Sequence, residues 1–313
     1  MTEPNILIGA QRFLRLAVES SWATLPGSPV WVDTPCDDYT VRFKPKNLAG
    51  QPRAGLMQRK YSRNVSGHPA GNLVTSLYGW KPTGLLTSLA QAMLEWGFTD
   101  HESKAPRSKS AQWVYTSHDD DKQHAGLRVN QATLAGSEAG IKLTLELIGK
   151  TETILSGQTS TPPNDRHQLV DFLWEDCSFK LDGTVMPFSS FQWSVQRSVA
   201  PVYQNSKVPT SCPKAGWVES FSITPLKSDN SFDVLRNDLE MTELPGELVL
   251  KGLHNGTGGP GTDFTVCTVA FPRLSFVDSD ESGGVGVIEN PLTWNVLKPD
   301  TASPSSTMTW TEA

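Results

Sequence analysis

Three alternating segments occur twice in this chain, in the same order. Tyr39-Thr-Val41-Arg-Phe43, Val74-Thr-Ser76-Leu77 and Leu143-Thr144-Leu145-Glu-Leu147 lie in the first half. Phe191-Gln-Trp193-Ser-Val195, Val218-Glu-Ser220-Phe221 and Leu292-Thr293-Trp294-Asn-Val296 lie in the second, at offsets of 152, 144 and 149 residues. Alternation of apolar and polar side chains is the period of a half-buried strand. An ordered set at nearly one spacing predicts two copies of one β-rich module, so the question becomes how units assemble rather than where a pocket lies. With 313 residues, each module is large enough to bury a core of its own.

Between these segments the punctuation is dense. Pro26, Gly27, Pro29 and Pro35 predict an extended N-terminal arm over residues 1–38. Pro45, Gly50, Pro52, Gly55, Gly67, Pro69 and Gly71 make residues 44–72 a long loop or a loosely paired hairpin. Leu85, Leu86, Leu89, Met93 and Trp96 fall at helical spacing, with Gly97 where a C-cap belongs. Leu127, Val129 and the run Ile141, Leu143, Leu145, Leu147 predict two strands joined by a hairpin loop over Gly136-Ser-Glu-Ala-Gly140. Asp182-Gly183 supplies the two positive-φ positions of a type I′ turn. Phe232, Leu235 and Leu239 share one face of a second short helix, and strands close the chain at Phe264 to Phe276 and Leu292 to Val296. The predicted fold is mainly β: two tandem β-sandwich or barrel modules, each with one flanking short helix. The expected bounds are 1–150 for the first module with its arm, 151–170 for a linker, 171–298 for the second module and 299–313 for a polar tail, mobile in part. The competing reading is one large β protein without a repeat.

The net charge of −6 argues against a protein that grips nucleic-acid phosphates. The charge is also uneven. No Asp or Glu occurs from Tyr39 to Leu94, and Arg42, Lys44, Lys46, Arg53, Arg59, Lys60 and Arg63 crowd one stretch. The corresponding span of the second half, Gly183 to Val218, is acid-free as well and carries Arg197, Lys207 and Lys214. Acids gather at Asp119, Asp120 and Asp121 and at Asp278, Asp280 and Glu281. Basic loops on an acidic protein suggest a partner of opposite charge, which can be another copy of the same chain. Head-to-tail contact of that kind grows without limit or closes a ring.

A search for chemistry finds no catalytic constellation and implies no cofactor. Cys36, Cys177, Cys212 and Cys267 contain no CxxC and are expected to be reduced, mostly buried thiols. His118-Asp-Asp-Asp-Lys-Gln-His124 has ligand types but no metal-binding frame, so a solvated loop is expected. Gly256-Thr-Gly258-Gly259-Pro-Gly261 lacks the Lys-Ser/Thr of a phosphate loop. The start of the chain lacks the basic n-region of a secretion signal, and no run of 18 apolar residues exists, so a chain made in a cytoplasm and without a membrane span is expected. Among the ten tryptophans, Trp22, Trp31 and Trp310 lie in terminal or loop regions and are candidates for burial between subunits. Exposed tryptophans would instead suit a carbohydrate- or receptor-binding β-sandwich, which is the alternative function.

Three stretches carry a resemblance. They are Leu16-Ala-Val-Glu19-Ser-Ser-Trp-Ala-Thr24, the step from Val74 to Met93 with its echo from Val218 to Leu239, and the closing Phe271-Pro272-Arg-Leu before a Gly-rich turn, strand and polar tail. In layout the chain resembles the tail tube (major tail) proteins of long-tailed, non-contractile bacteriophages, in their duplicated form. Trp22-Ala23 stands where that family's opening turn carries a Gly. The resemblance implies a structural virion protein, assembled in the host cytoplasm into stacked rings that form a tube, through which DNA passes without specific binding. It implies a trimer with pseudo-sixfold symmetry, contacts with tape-measure, terminator and distal tail proteins, and an acidic lumen that repels phosphate. It also implies that residues 44–72, and 197–215 in the second copy, reach the adjacent ring, so Arg53, Arg59, Lys60, Arg63, Lys207 and Lys214 are contact candidates.

Overall fold

The computed structural model describes residues 12–49, 62–79, 87–99, 108–115, 121–155, 172–225, 243–254, 263–279, 291–299 and 303–312. The chain is mainly β, and its antiparallel ladders run without a break from the first half into the second.

Strand β1 (Arg12–Val18) buries Phe13, Leu14, Leu16 and Ala17. It pairs with β2 (Val32–Thr34) and β6 (Lys109–Tyr115). The expected N-terminal arm is therefore built into the sheet from residue 12 onward, because its apolar side chains need cover. Strand β3 (Asp38–Tyr39) and β4 (Arg42–Ala49) pair with β5 (Ser62–Ser76), so the Pro- and Gly-rich stretch is a paired hairpin rather than a loop.

Helix α1 (Leu89–Phe98) starts where the Ser88 hydroxyl accepts the Gln91 N–H at 3.2 Å. Gly97 is not its C-cap: the helix runs on through Phe98 and is capped at Thr99 in extended conformation. The glycine has another reason. A Cβ there would lie 3.0 Å from Leu145 Cδ2 and 3.2 Å from Ala132 Cβ, so its absence lets the helix sit down on the sheet.

The sheet under α1 is built by β7 (Asp121–Ser137) and β8 (Gly140–Ile148). Ile141, Leu143, Leu145 and Leu147 of β8 are all buried, as their alternation requires. Their turn is Glu138-Ala139, inside the expected hairpin loop. Strand β9 (Thr151–Leu155) then pairs with the start of β7. Five residues assigned to the linker by their polarity are thus part of the sheet.

In the second half, β10 (Ser178–Leu181) and β11 (Thr184–Met186) form the expected hairpin, with Asp182 at φ 48° and Gly183 at φ 76°. Strands β12 (Phe188–Gln196), β13 (Val218–Pro225), β14 (Leu244–His254), β15 (Asp263–Ser279) and β16 (Leu292–Val296) follow. Strand β17 (Thr307–Glu312) pairs with Thr265–Ala270 of β15, so the expected mobile tail is held there by a main-chain ladder. The second expected helix, at Phe232 to Leu239, lies outside the described residues.

The buried apolar residues form one cluster rather than two separate cores. It runs from Leu14 and Leu73, through α1, to Phe221, Phe271 and Trp294. All four cysteines are free thiols, with Cys212 and Cys267 buried. Among the described residues no helix is long and apolar enough to cross a membrane.

Candidate assembly interface

The longest contact between the two halves is a β ladder. The second part of β7 pairs antiparallel with β12, from Gln131 opposite Gln196 to Ser137 opposite Ser190. The ladder continues past the strand end, where Arg197 N–H donates to the Asn130 carbonyl at 2.8 Å and Val199 N–H to the Asn130 side-chain oxygen at 2.8 Å. At the far end Gly136 faces Phe191, and a Cβ on Gly136 would fall 2.3 Å from the phenylalanine ring. Main-chain bonds set the register, and side-chain fit locks it.

Two further contacts cross this seam beneath the sheet. Phe98, at the end of α1, stacks on Trp193 with ring centroids 3.9 Å apart and planes 27° apart. The buried Arg197 guanidinium donates from Nη2 to the carbonyls of Trp96, Gly97 and Thr99 at 3.1, 2.8 and 3.2 Å. Those carbonyls are the unsatisfied negative end of α1, whose last turn has no basic residue of its own. The compensating charge arrives from about 100 residues away.

The β4–β5 hairpin also touches the segment that follows β12. Gly67 N–H donates to the Lys207 carbonyl at 3.0 Å, and His68 Nδ1 lies 2.6 Å from the Tyr203 hydroxyl. Arg128 donates to the Cys212 carbonyl.

Two buried polar clusters brace the strands on either side of the seam. In the first, Glu152 of β9 can only accept. His124 therefore carries its proton on Nε2, 3.0 Å from Glu152 Oε2, and its Nδ1 accepts from the Tyr39 hydroxyl at 2.9 Å. Glu152 Oε2 also accepts Phe43 N–H at 2.8 Å. Burial lowers the His124 pKa against the raising effect of Glu152, and burial raises that of Tyr39 well above its ordinary value. His124 thus belongs to the interior and, with Asp121, to the start of β7, not to the solvated loop expected over 118–124.

In the second cluster, Glu219 of β13 accepts Trp193 Nε1–H at 2.8 Å, Trp217 Nε1–H at 3.3 Å and the Ser305 hydroxyl. Burial raises its pKa, and these hydrogen bonds act in the opposite direction. Neither cluster had a sequence signal beyond one polar residue interrupting an apolar pattern.

The residues singled out from sequence are spread over the molecule. Lys207 is exposed, and Lys214 lies over the Trp217 ring at 4.9 Å. Arg63 lies on β5, and Arg53, Arg59 and Lys60 fall outside the described residues. Asp121 is fully buried, which removes it from any acidic surface. Asp278 is on β15, while Asp119, Asp120, Asp280 and Glu281 fall outside the described residues.

Trp22 is half-buried in its own chain: its Nε1–H donates to the Gly126 carbonyl at 2.9 Å, and Arg128 and Lys150 lie over its ring. The neighbouring Ala23 adopts φ 59°, the left-handed conformation that glycine would take more easily, and Glu19 accepts its N–H at 2.7 Å. Trp31 is half-buried, and Trp310 packs on the core with its Nε1–H buried and unpaired. Of the ten tryptophans, all but Trp80 are described, and none of those is exposed, so no described indole offers an open platform for a sugar ring.

No group of three or more His, Cys, Asp or Glu among the described residues is placed to hold a metal ion. A cavity of about 240 Å³ between β1, β2 and α1 is lined mostly by apolar side chains such as Leu16, Val32 and Met93. It brings no acid, base and nucleophile together.

The described residues form a β scaffold held together by long main-chain ladders, the build of a structural protein. The family comparison makes this specific. Residues 9–296 match the model of the phage tail tube protein family, and the chain belongs to that family. It is a structural component of a phage tail. No curated protein matches the chain.

Proposed function

We propose that three copies of this chain close into a ring with six similar positions, and that rings stack into the tube through which DNA leaves the particle. The support is a correspondence between the halves. β6, β7 and β8 pair in succession, and so do β14, β15 and β16. β1 borders β6 as β10 borders β14. β5 borders β8 as β13 borders β16, and β9 lies on the start of β7 as β17 lies on the start of β15. This shared order of pairings is the single observation that carries the reading, in which the chain holds two copies of one module.

The registers refine the repeat. Leu73 lies opposite Leu145 and Tyr39, while Phe221 lies opposite Trp294 and Trp193. Tyr39 therefore answers to Trp193 rather than Phe191, and Leu73 to Phe221. The eye matches short alternating runs, whereas the ladder aligns the residues that share neighbours.

One chain then supplies two consecutive positions of a ring, and the β7–β12 ladder is the contact between adjacent positions. The β4–β5 hairpin and the segment 197–215 carry Arg53, Arg59, Lys60, Arg63, Lys207 and Lys214 toward the neighbouring ring. Asp119, Asp120, Asp278, Asp280 and Glu281 are their acidic partners. Other tail proteins cap the stack. Electron microscopy of the purified, concentrated protein tests this: rings or tubes with a central hole are expected, and compact particles without a hole would refute it.

A further inference from the structure

Strands β7 and β15 are both 17 residues long, yet their edges are covered differently. One edge of β7 carries β9 and then β8, and the other carries β6 and then β12. One edge of β15 carries β17 and then β16, and the other carries β14 as far as Leu274. Beyond Leu274 that second edge has no paired strand among the described residues. Among the described residues, no strand takes on β15 the place that β12 takes on β7.

The matching strand also has one edge without a partner strand among the described residues. Tyr39 stands where Trp193 stands, so the segment 37–42 answers to the part of β12 that lies on β7. Its inner edge pairs with β5: Asp37 N–H reaches the Val74 carbonyl and Thr40 N–H the Asn72 carbonyl. No described strand lies on its outer edge. The outer edge has a built end, because Phe43 N–H, which answers to Arg197 N–H, is already taken by Glu152 Oε2.

We infer that the ring closes by an antiparallel β ladder between segment 37–42 of one copy and segment 275–279 of the next. The occupant is a second copy of this chain, and the argument is continuity with the internal ladder. Transferring the internal register places Val41 opposite Phe276, as Val195 is opposite Ala132, and Arg42 opposite Ser275, as Gln196 is opposite Gln131. Tyr39 and Val41 are buried and Phe276 is packed on the core, so the shared face is apolar. Thr40 and Arg42 are exposed, and so is Val277 at 52 %, so the opposite face meets solvent in a single chain. The contact is heterologous: two different edges join, so copies follow one another around an axis instead of pairing face to face. Two edges without a partner strand among the described residues, at 37–42 and 275–279, are the risk that the closed ring removes.

This inference rests on the tube-subunit reading, and the experiment separates the two. Arg42→Cys and Ser275→Cys together place two thiols in a position without mutual main-chain bonds. There Cα atoms lie about 4.5 Å apart, within disulfide reach. The internal control is Gln131→Cys with Gln196→Cys, which is expected to close a bond inside one chain. Mild oxidation of assembled protein carrying Arg42→Cys and Ser275→Cys is expected to give covalent species up to three times the chain mass on a non-reducing gel, with either single variant giving none. Rings or tubes that form while this double variant stays at monomer mass, with the control oxidised, overturn the ladder but leave the tube reading intact. Absence of any ring or tube, even for the unaltered chain, overturns the reading and the ladder together.

Discussion

β7 and β15 show what changes when one strand design is used at two places. Both are long, both bend from one sheet neighbour to another, and both anchor the core. β7 carries strands on both edges near each of its ends, because the second half of the chain supplies β12. The end of β15 has no described strand to sheath it on one edge. The first therefore reports how a seam is made within a chain, and the second where one is still wanted. In the proposed ring, edges, apolar fit and charge between copies each have an internal example to be measured against.

The largest expected effect of breaking the internal example is at its centre. Trp193 is fully buried, stacks on Phe98 and donates to Glu219. Trp193→Ala should cost about 3–5 kcal/mol in chemical denaturation of the single chain. Phe276→Ala, on the stretch of β15 with strand cover on one edge only among the described residues, should cost clearly less in the single chain and be felt mainly in assembly. Equal losses would mean that the two edges are not equivalent.

Next is the charge that seals α1. Arg197→Met removes three hydrogen bonds and leaves buried carbonyls unpaired. A loss of about 2–3 kcal/mol is expected, together with faster amide exchange over 96–99. Gly97→Ala is smaller. Better helix propensity, up to about 1 kcal/mol, opposes the crowding against Leu145 and Ala132. A net loss near 1 kcal/mol is expected, and a net gain would show that the helix can lift freely.

The two buried clusters sharpen the comparison through pH. Glu219 has a raised folded pKa, so the folded state holds its proton more tightly. Its contribution is full below the ordinary value of 4.5 and is lost as pH rises through the folded value. Glu219→Gln should therefore gain on the unaltered chain as pH climbs from 4.5. His124 has a lowered folded pKa, so its contribution is present above 6.5 and is lost as pH falls through the folded value. His124→Gln keeps one donor and one acceptor and should gain on the unaltered chain as pH falls below 6.5. Thermal melts across pH 4–8 would check both signs. The smallest effect on folding belongs to the loop: Arg59→Glu with Lys60→Glu should leave chain stability within about 1 kcal/mol while blocking ring stacking at moderate salt.

Much of the fold was legible because burial imposes a period. The β8 alternation, the Asp182-Gly183 turn and the apolar stripe of α1 each have a local physical cause. What escaped was held by the main chain rather than by burial. β9 is a strand whose side chains are at most half-buried, and β17 sets only Met308 and Trp310 against the core, so their composition reads as linker and tail. Gly97 was placed as a cap because its true reason, contact with Leu145, lies across the sheet. The repeat was visible, but its alignment slipped by two residues at Tyr39 and by four at Val74. The seam had no signal at all: nothing in residues 131–137 or 190–196 says that they pair. Arg197 was noted only as one of three basic residues in an acid-free stretch, and its role depends on a helix 100 residues earlier.

The central claim is that one chain fills two of six similar positions in a closed ring. Native mass spectrometry of the assembled protein tests it most directly. Species containing three, six or nine chains of 34.2 kDa are expected, with no intermediate numbers stable on dilution. A ladder of one, two, four and five chains, or six as the smallest closed species, would contradict it.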